Sequence, residues 1–155
     1  MRLSRAGRLV VLLALSACSS SPTGPLSAAE LRELSAAESL WRQRGPAHYS
    51  IEMRRLCFCG GEVTEWATVE VRNNTVLAQT MLNGTPVSPS LWSSRPPVST
   101  LFTEIREMRA FWLKDIQVTY DATTGYPSRV QYIENDNIAD AGSVLEVRNL
   151  IALTP

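Results

Sequence analysis

The chain has 155 residues, 45% of them hydrophobic and 19% charged. Fifteen basic residues balance fifteen acidic ones, and without Arg2, Arg5 and Arg8 of the leader the remainder carries a net charge of −3. There is no basic run and no basic stripe set with aromatics, which speaks against nucleic acid as a partner.

The first segment reads as an address. Arg2, Arg5 and Arg8 precede a short apolar run, Leu9 to Leu15, and the small residues Ser16 and Ala17 lead to Cys18. This is the layout of a secretory signal over residues 1–17, and its apolar run is too short to span a bilayer. Leu15-Ser16-Ala17-Cys18 resembles the lipobox of bacterial lipoproteins, in which the cysteine becomes a lipidated N-terminus. The resemblance implies an exported protein held on a membrane by lipid on Cys18, with palmitate-like acyl chains. One chain gives only marginal attachment at about 0.8 kcal/mol per methylene, so two or three are needed for a stable anchor. Ser19, in place of aspartate, favours the outer membrane if the source is a diderm bacterium. Residues 18–26 are rich in Ser, Pro and Gly and read as the lipidated tether, leaving 27–155 as a single domain.

Ser27-Ala28-Ala29-Glu30 forms a capping box, and Leu31, Leu34, Ala37, Leu40 and Trp41 follow at helical spacing until Gly45-Pro46. His48 to Leu56 alternates as a strand with Tyr49, Ile51 and Met53 on one face. Glu62 to Arg72 reads as a second strand, Asn73-Asn74 as a tight hairpin, and Thr75 to Leu82 as a third strand. A two-residue turn pairs Val71 with Val76 and Val69 with Ala78 on one face. It pairs Trp66 with Met81 on the other, beside Leu77. Residues 83–97 make a long connection containing Leu91 and Trp92. Ser99 or Thr100 caps a second helix with Leu101, Phe102, Ile105, Met108 and Trp112 as its apolar side. Asp115–Tyr120, Ser128–Glu134 and Val144–Leu150 read as three more strands, with a turn at Asp121–Pro127 in which Gly125 takes positive φ. The expected fold is α+β: helix, three strands, helix, three strands, forming an antiparallel sheet with two helices on one face. The halves look like copies of one unit, since Val69–Asn73 and Leu145–Asn149 end strands with similar sequences.

Trp41, Tyr49-Ser50, Cys57-Phe58-Cys59, Thr100-Leu101-Phe102 with Ile105, Val118-Thr119-Tyr120-Asp121 and Gly125-Tyr126-Pro127 together resemble a family of small bacterial lipoproteins, the domain-of-unknown-function 6174 family. The likeness spans residues 38–150. Glu134 and Asp136 stand where that family has an aspartate after the fifth strand. The resemblance implies an envelope lipoprotein and brings no activity with it.

Cys57 and Cys59 are the sharpest chemical feature. An exported pair should be oxidised, yet same-face neighbours on a flat strand lie about 6.6–7 Å apart, at the limit for a disulfide. A bend at Gly60-Gly61 permits the bond. Arg54 and Arg55 nearby would lower the thiol pKa values, so a structural disulfide, a redox-active pair and free or metal-bound thiols all stay open. The lone histidine, His48, offers no cluster for metal or catalysis, and no Gly-x-Ser-x-Gly motif occurs. Glu134, Asp136, Asn137 and Asp140 before Gly142 form an acidic turn, but Ile138 breaks the calcium-loop spacing. Trp41 and Trp112 read as core.

These features point to a non-catalytic envelope module, with no cofactor, that binds an unidentified envelope protein. A thiol-disulfide protein using Cys57 and Cys59 and an inhibitor of an envelope enzyme are the alternatives. Trp66, Leu77 and Met81 form the candidate binding patch, unless the 83–97 connection covers that face and makes a satellite core.

Overall fold

A computed structural model describes residues 26–108, 113–136 and 142–154. The expected leader, Cys18, the expected tether as far as residue 25, Trp112, Asn137, Ile138 and Asp140 lie outside the described residues.

Helix α1 spans Ala28–Arg44 and opens on the expected capping box: the Glu30 amide donates to Ser27 Oγ at 3.3 Å, and the Ser27 amide donates to Glu30 Oε2 at 2.6 Å. Its buried stripe is Leu34, Ala37 and Trp41. Strand β1, His48–Leu56, follows and buries Tyr49, Ile51 and Met53. The expected second strand is shorter than its sequence suggests. Residues Gly61–Thr64 form a single helical turn, α2, and strand β2 runs only from Ala67 to Arg72.

Asn73 and Asn74 take φ of 48° and 62° and close the hairpin to β3, Thr75–Met81. Val71 pairs with Val76 as the two-residue turn requires, but the register then slips. Glu70 faces Ala78, so Leu77 is the extra residue of a β-bulge. Val69 therefore faces Gln79 rather than Ala78, and Met81 faces Ala67 rather than Trp66. A slip of one residue reverses the faces of everything beyond it. Here it turns Gln79 inward, where its amide nitrogen donates to the carbonyls of Trp92 and Arg95 at 3.0 Å each.

The 83–97 connection is ordered by pairing along the outer edge of β3. The Met81 amide donates to Thr85 O at 2.8 Å and the Val87 amide to Gln79 O at 2.9 Å. A 3₁₀ turn, Pro89–Ser94, leads to α3, Val98–Glu107. That helix starts before the expected Ser99 or Thr100, with Pro97 at its N-cap. Proline offers no capping side chain, and the buried Val98 amide donates instead to the Tyr49 hydroxyl at 3.1 Å. Strands β4 (Leu113–Tyr120), β5 (Pro127–Glu134) and β6 (Ser143–Ala152) complete the chain.

All six strands form one antiparallel sheet in the order β3-β2-β1-β6-β5-β4. This is an α+β fold, and the extra short helices are its departure from the expected order. The first three strands run outward from the centre and the last three run inward to it. The halves are therefore not copies laid out in the same sense, and β2 and β6 hold different places. What Asn73 and Asn149 share is local: both take positive φ, the first in the hairpin and the second at the bulge where β6 crosses β1. One buried cluster joins Leu34, Ala37 and Trp41 of α1 and Val98, Leu101, Phe102 and Ile105 of α3 to the apolar sheet face. Tyr49, Ile51, Met53, Val69, Val71, Val130, Leu145 and Val147 supply that face. Among the described residues no helix is long and apolar enough to cross a membrane.

Candidate functional site: the open sheet face and the Cys57–Cys59 turn

The sheet face turned away from the core cluster carries charge in register. Antiparallel pairing of β1 with β6 sets Glu52 opposite Arg148 and Arg54 opposite Glu146. Arg148 Nε donates to Glu52 at 2.8 Å, and Arg54 Nε donates to Glu146 at 2.7 Å. Glu146 also accepts from Arg129 of β5 at 2.7 Å. Trp66 lies against this ladder, with the Arg148 guanidinium 3.9 Å and the Arg54 guanidinium 4.7 Å from its ring centre. Each such contact contributes about 0.5–1 kcal/mol at an exposed site. The half-buried indole is thus held flat by two cations that carboxylates in turn hold.

Of the candidate patch, Trp66 alone joins this array. Leu77 sits in the bulge between the Glu70–Ala78 and Val71–Val76 pairs, roughly 13 Å along the hairpin from Ala67. Met81, opposite Ala67, belongs to the core side of the sheet. The 83–97 connection does not make a satellite core over Trp66. It follows the β3 edge and meets Gln79 on the helix side, with Trp92 Nε1 donating to Val87 O at 3.1 Å.

The other conspicuous structure is the turn after β1. Cys57 and Cys59 are bridged to each other across a Cα separation of 5.2 Å. The chain bends out of the strand, which brings the two within disulfide reach. Phe58 between them is 89% exposed. Arg54 is committed to Glu146, while Arg55 Nε donates to Ser94 O at 3.4 Å and its guanidinium lies 5.6 Å from the Tyr132 ring centre.

Arg95 ties the next turn, α2, to β1, and no local pattern in the sequence signals it. The side chain is fully buried. Its Nε donates to Met53 O at 3.1 Å, and Nη2 donates to the carbonyls of Glu62, Val63 (3.1 Å) and Glu65 (2.8 Å). Three of those four carbonyls lie in or beside α2, so the guanidinium caps that single turn. Burial pulls the Arg95 pKa below its usual value, with Glu62 opposing. Burial likewise raises the Glu104 carboxyl, and Arg55 partly offsets it.

His48 has 2.9 Å from Nε2 to Glu70 and 3.1 Å from Nδ1 to Thr154 O, so both ring nitrogens are engaged in holding strand ends together. Among the described residues no group of three His, Cys, Asp or Glu could hold a metal. Glu134 accepts from the Gly142 amide at 2.8 Å, and Asp136 pairs with Lys114 at 2.8 Å. Trp41 is core, packed edge-on against Tyr49 with ring centres 5.4 Å apart.

The signal for the charged ladder was present but split. Glu52-x-Arg54 and Glu146-x-Arg148 each place opposite charges on one strand face, and only the β1–β6 pairing makes them partners.

No curated protein and no solved structure matches the chain. The family whose sequence model matches, over residues 33–152, is described as a family of unknown function, DUF6174. The match covers well over half of the chain, and the protein belongs to that family.

Proposed function

We propose that this protein is an exported lipoprotein, acylated on Cys18 and held at a membrane surface, that acts as a non-catalytic binding module through the open face of its sheet. The leader ending in Leu15-Ser16-Ala17-Cys18 supports the anchor. Leu26, expected at the end of the tether, is instead buried in the core, and Ser27 caps α1, so seven residues, 19–25, lie between Cys18 and the folded domain.

The observation that carries the binding role is Trp66 between the Arg54 and Arg148 guanidiniums. Tryptophan and arginine are the residues on which binding energy concentrates, because they bury large area in fixed geometry. Here the geometry is set before any partner arrives, which lowers the entropic cost of association. The partner we envisage is an envelope protein that covers Trp66 and accepts from the arginines.

The test compares full-length wild type, Trp66→Ala and Arg148→Gln recovered from membranes of the producing cell. Trp66→Ala should lose a co-purifying protein while costing no more than about 2 kcal/mol of stability. A loss of 3 kcal/mol or more, about that of a core aromatic, with the partner still recovered on the folded fraction would overturn the binding role.

The Cys57–Cys59 bridge favours one second reading, a thiol-disulfide protein. A redox titration of the pair separates the two: exchange with glutathione at physiological poise supports redox work, and resistance supports a clamp.

A further inference from the structure

Two features at opposite ends of β1 fit one another but cannot meet within one molecule. At the C-terminal end Phe58 projects from the bridged turn, more exposed than any other large hydrophobic residue described. The disulfide closes this turn, and Arg95 holds the helical turn that follows it by its carbonyls, which restricts the ways Phe58 can move. An aromatic held in solvent with restricted motion is the form of an anchor that loses little entropy on docking. In and beside the α2 turn that follows it in the chain, Glu62 and Glu65 are exposed and carry no ion pair among the described residues. The nearby cations are committed, Arg54 to Glu146, Arg55 to Ser94 O and Arg95 to the interior. The knob is therefore apolar at its tip and acidic at its flank.

At the N-terminal end of β1 there is a recess of about 380 Å³ lined by Pro46, Ala47, His48, Arg72, Asn73 and Leu153. Elsewhere an apolar cavity of about 150 Å³ already accepts benzene, so a phenyl ring has room here. Pro46, Ala47 and Leu153 make its apolar lining. The Glu70 carboxylate at this end is taken up by His48. Arg72 is exposed and has no ion pair among the described residues, so it is the uncommitted charge at the mouth. The recess is apolar within and basic at its rim, the complement of the knob.

The geometry points to a head-to-tail contact between copies of this chain, with Phe58 of one seated in the Pro46–Ala47–Leu153 recess of the next and Glu62 and Glu65 facing Arg72. β1 has nine residues and separates knob from recess by about 26 Å, so the two cannot meet within one molecule, and it is their opposite charges around matching apolar surfaces that make a second copy the occupant. The contact joins different surfaces, and such contacts propagate into open strings or close into rings. It does not depend on the lipid. An anionic membrane is the poorer occupant for the knob, since Glu62 and Glu65 would face headgroups of their own sign.

The experiment uses the full chain in detergent, with mass followed by sedimentation against concentration. Wild type should grow beyond dimers as concentration rises. Phe58→Ser and Ala47→Trp, each checked for an unchanged melting profile, should stay monomeric, because one lacks the knob and the other fills the recess. Mixed in equal amounts they should form dimers and nothing larger, since one intact knob and one intact recess remain between them. If Ala47→Trp fails to fold, Arg72→Glu takes its place. It should weaken association about tenfold, roughly 1.4 kcal/mol, and Glu62→Arg with Glu65→Arg should restore it. Growth of Phe58→Ser equal to wild type, or wild type that stays monomeric throughout, would overturn the proposal. A photo-reactive benzoylphenylalanine at position 58 in intact cells should link to peptides of the recess. Adducts to lipid or to another protein alone would also overturn it.

Discussion

Tyr49 shows how one side chain serves two elements. Its ring packs edge-on against Trp41, and its hydroxyl accepts from the first amide of α3. Burial pushes its pKa up to about 12, against the opposing effect of the Val98 hydrogen bond. Tyr49→Phe keeps the ring and leaves a buried amide without its acceptor, so it should cost about 1–3 kcal/mol in a denaturant melt. Asp121 makes a pH-dependent contribution of the opposite kind. Burial acts to raise its carboxyl, but hydrogen bonds from Thr124 and Thr123 outweigh this and hold it below the usual value. A carboxyl depressed in the folded state stabilises above its unfolded pKa, and that stability is lost as pH falls through the folded value. Wild type should therefore lose more stability than Asp121→Asn between pH 5 and about pH 3. Equal slopes for the two proteins would show that the Asp121 turn makes no such contribution. Gly125 in the same turn is fixed by backbone: φ is +85°, and a Cβ there would lie 2.3 Å from the Ala37 carbonyl.

Among the elements, α2 and the bridged turn depend on distant support. The disulfide closes a loop of three residues, so the double change Cys57→Ala, Cys59→Ala should cost at most about 2 kcal/mol. Arg95→Met should do more damage, about 3 kcal/mol or above, because the carbonyls of Met53, Glu62, Val63 and Glu65 lose a shared donor. Hydrogen exchange should then quicken first in residues 57–66. Unchanged protection there would remove Arg95 from its role. The contrast explains which elements could be read from sequence. The capping box of α1, its Leu34–Trp41 stripe and the Asn73-Asn74 turn are set by residues within a few positions of one another. Arg95 reaches 42 positions back to Met53, so Glu62 to Trp66 looked like an early continuation of β2. The Leu77 bulge escaped notice for a similar reason. Alternation alone put Ala78 inward, and it is the bonds from Gln79 Nε2 to Trp92 and Arg95 that offset part of the cost of burying its amide.

For the whole molecule, the two faces of the sheet differ in kind, one apolar and closed, the other charged and open. The helices and the apolar residues of the strands close one face. The other keeps Glu52, Arg54, Arg129, Glu146 and Arg148 in a cross-strand array around Trp66. Exposed ion pairs contribute little to stability, about 0–1 kcal/mol each, so the order of this array serves geometry more than folding. The fold class and most strand limits were legible because alternation and turn residues are local. The array was not, since Glu52 and Arg148 are 96 positions apart and meet only through β1–β6 pairing. The proposed role needs this face to be presented at a membrane, so an anchor on Cys18 is its central requirement. Metabolic labelling of the producing cells with a palmitate analogue tests it most directly. Wild type should carry label and, by mass spectrometry, begin at an acylated Cys18, whereas Cys18→Ala should carry none. Equal label on both proteins, or a mature form that begins elsewhere and carries no lipid, would contradict the account.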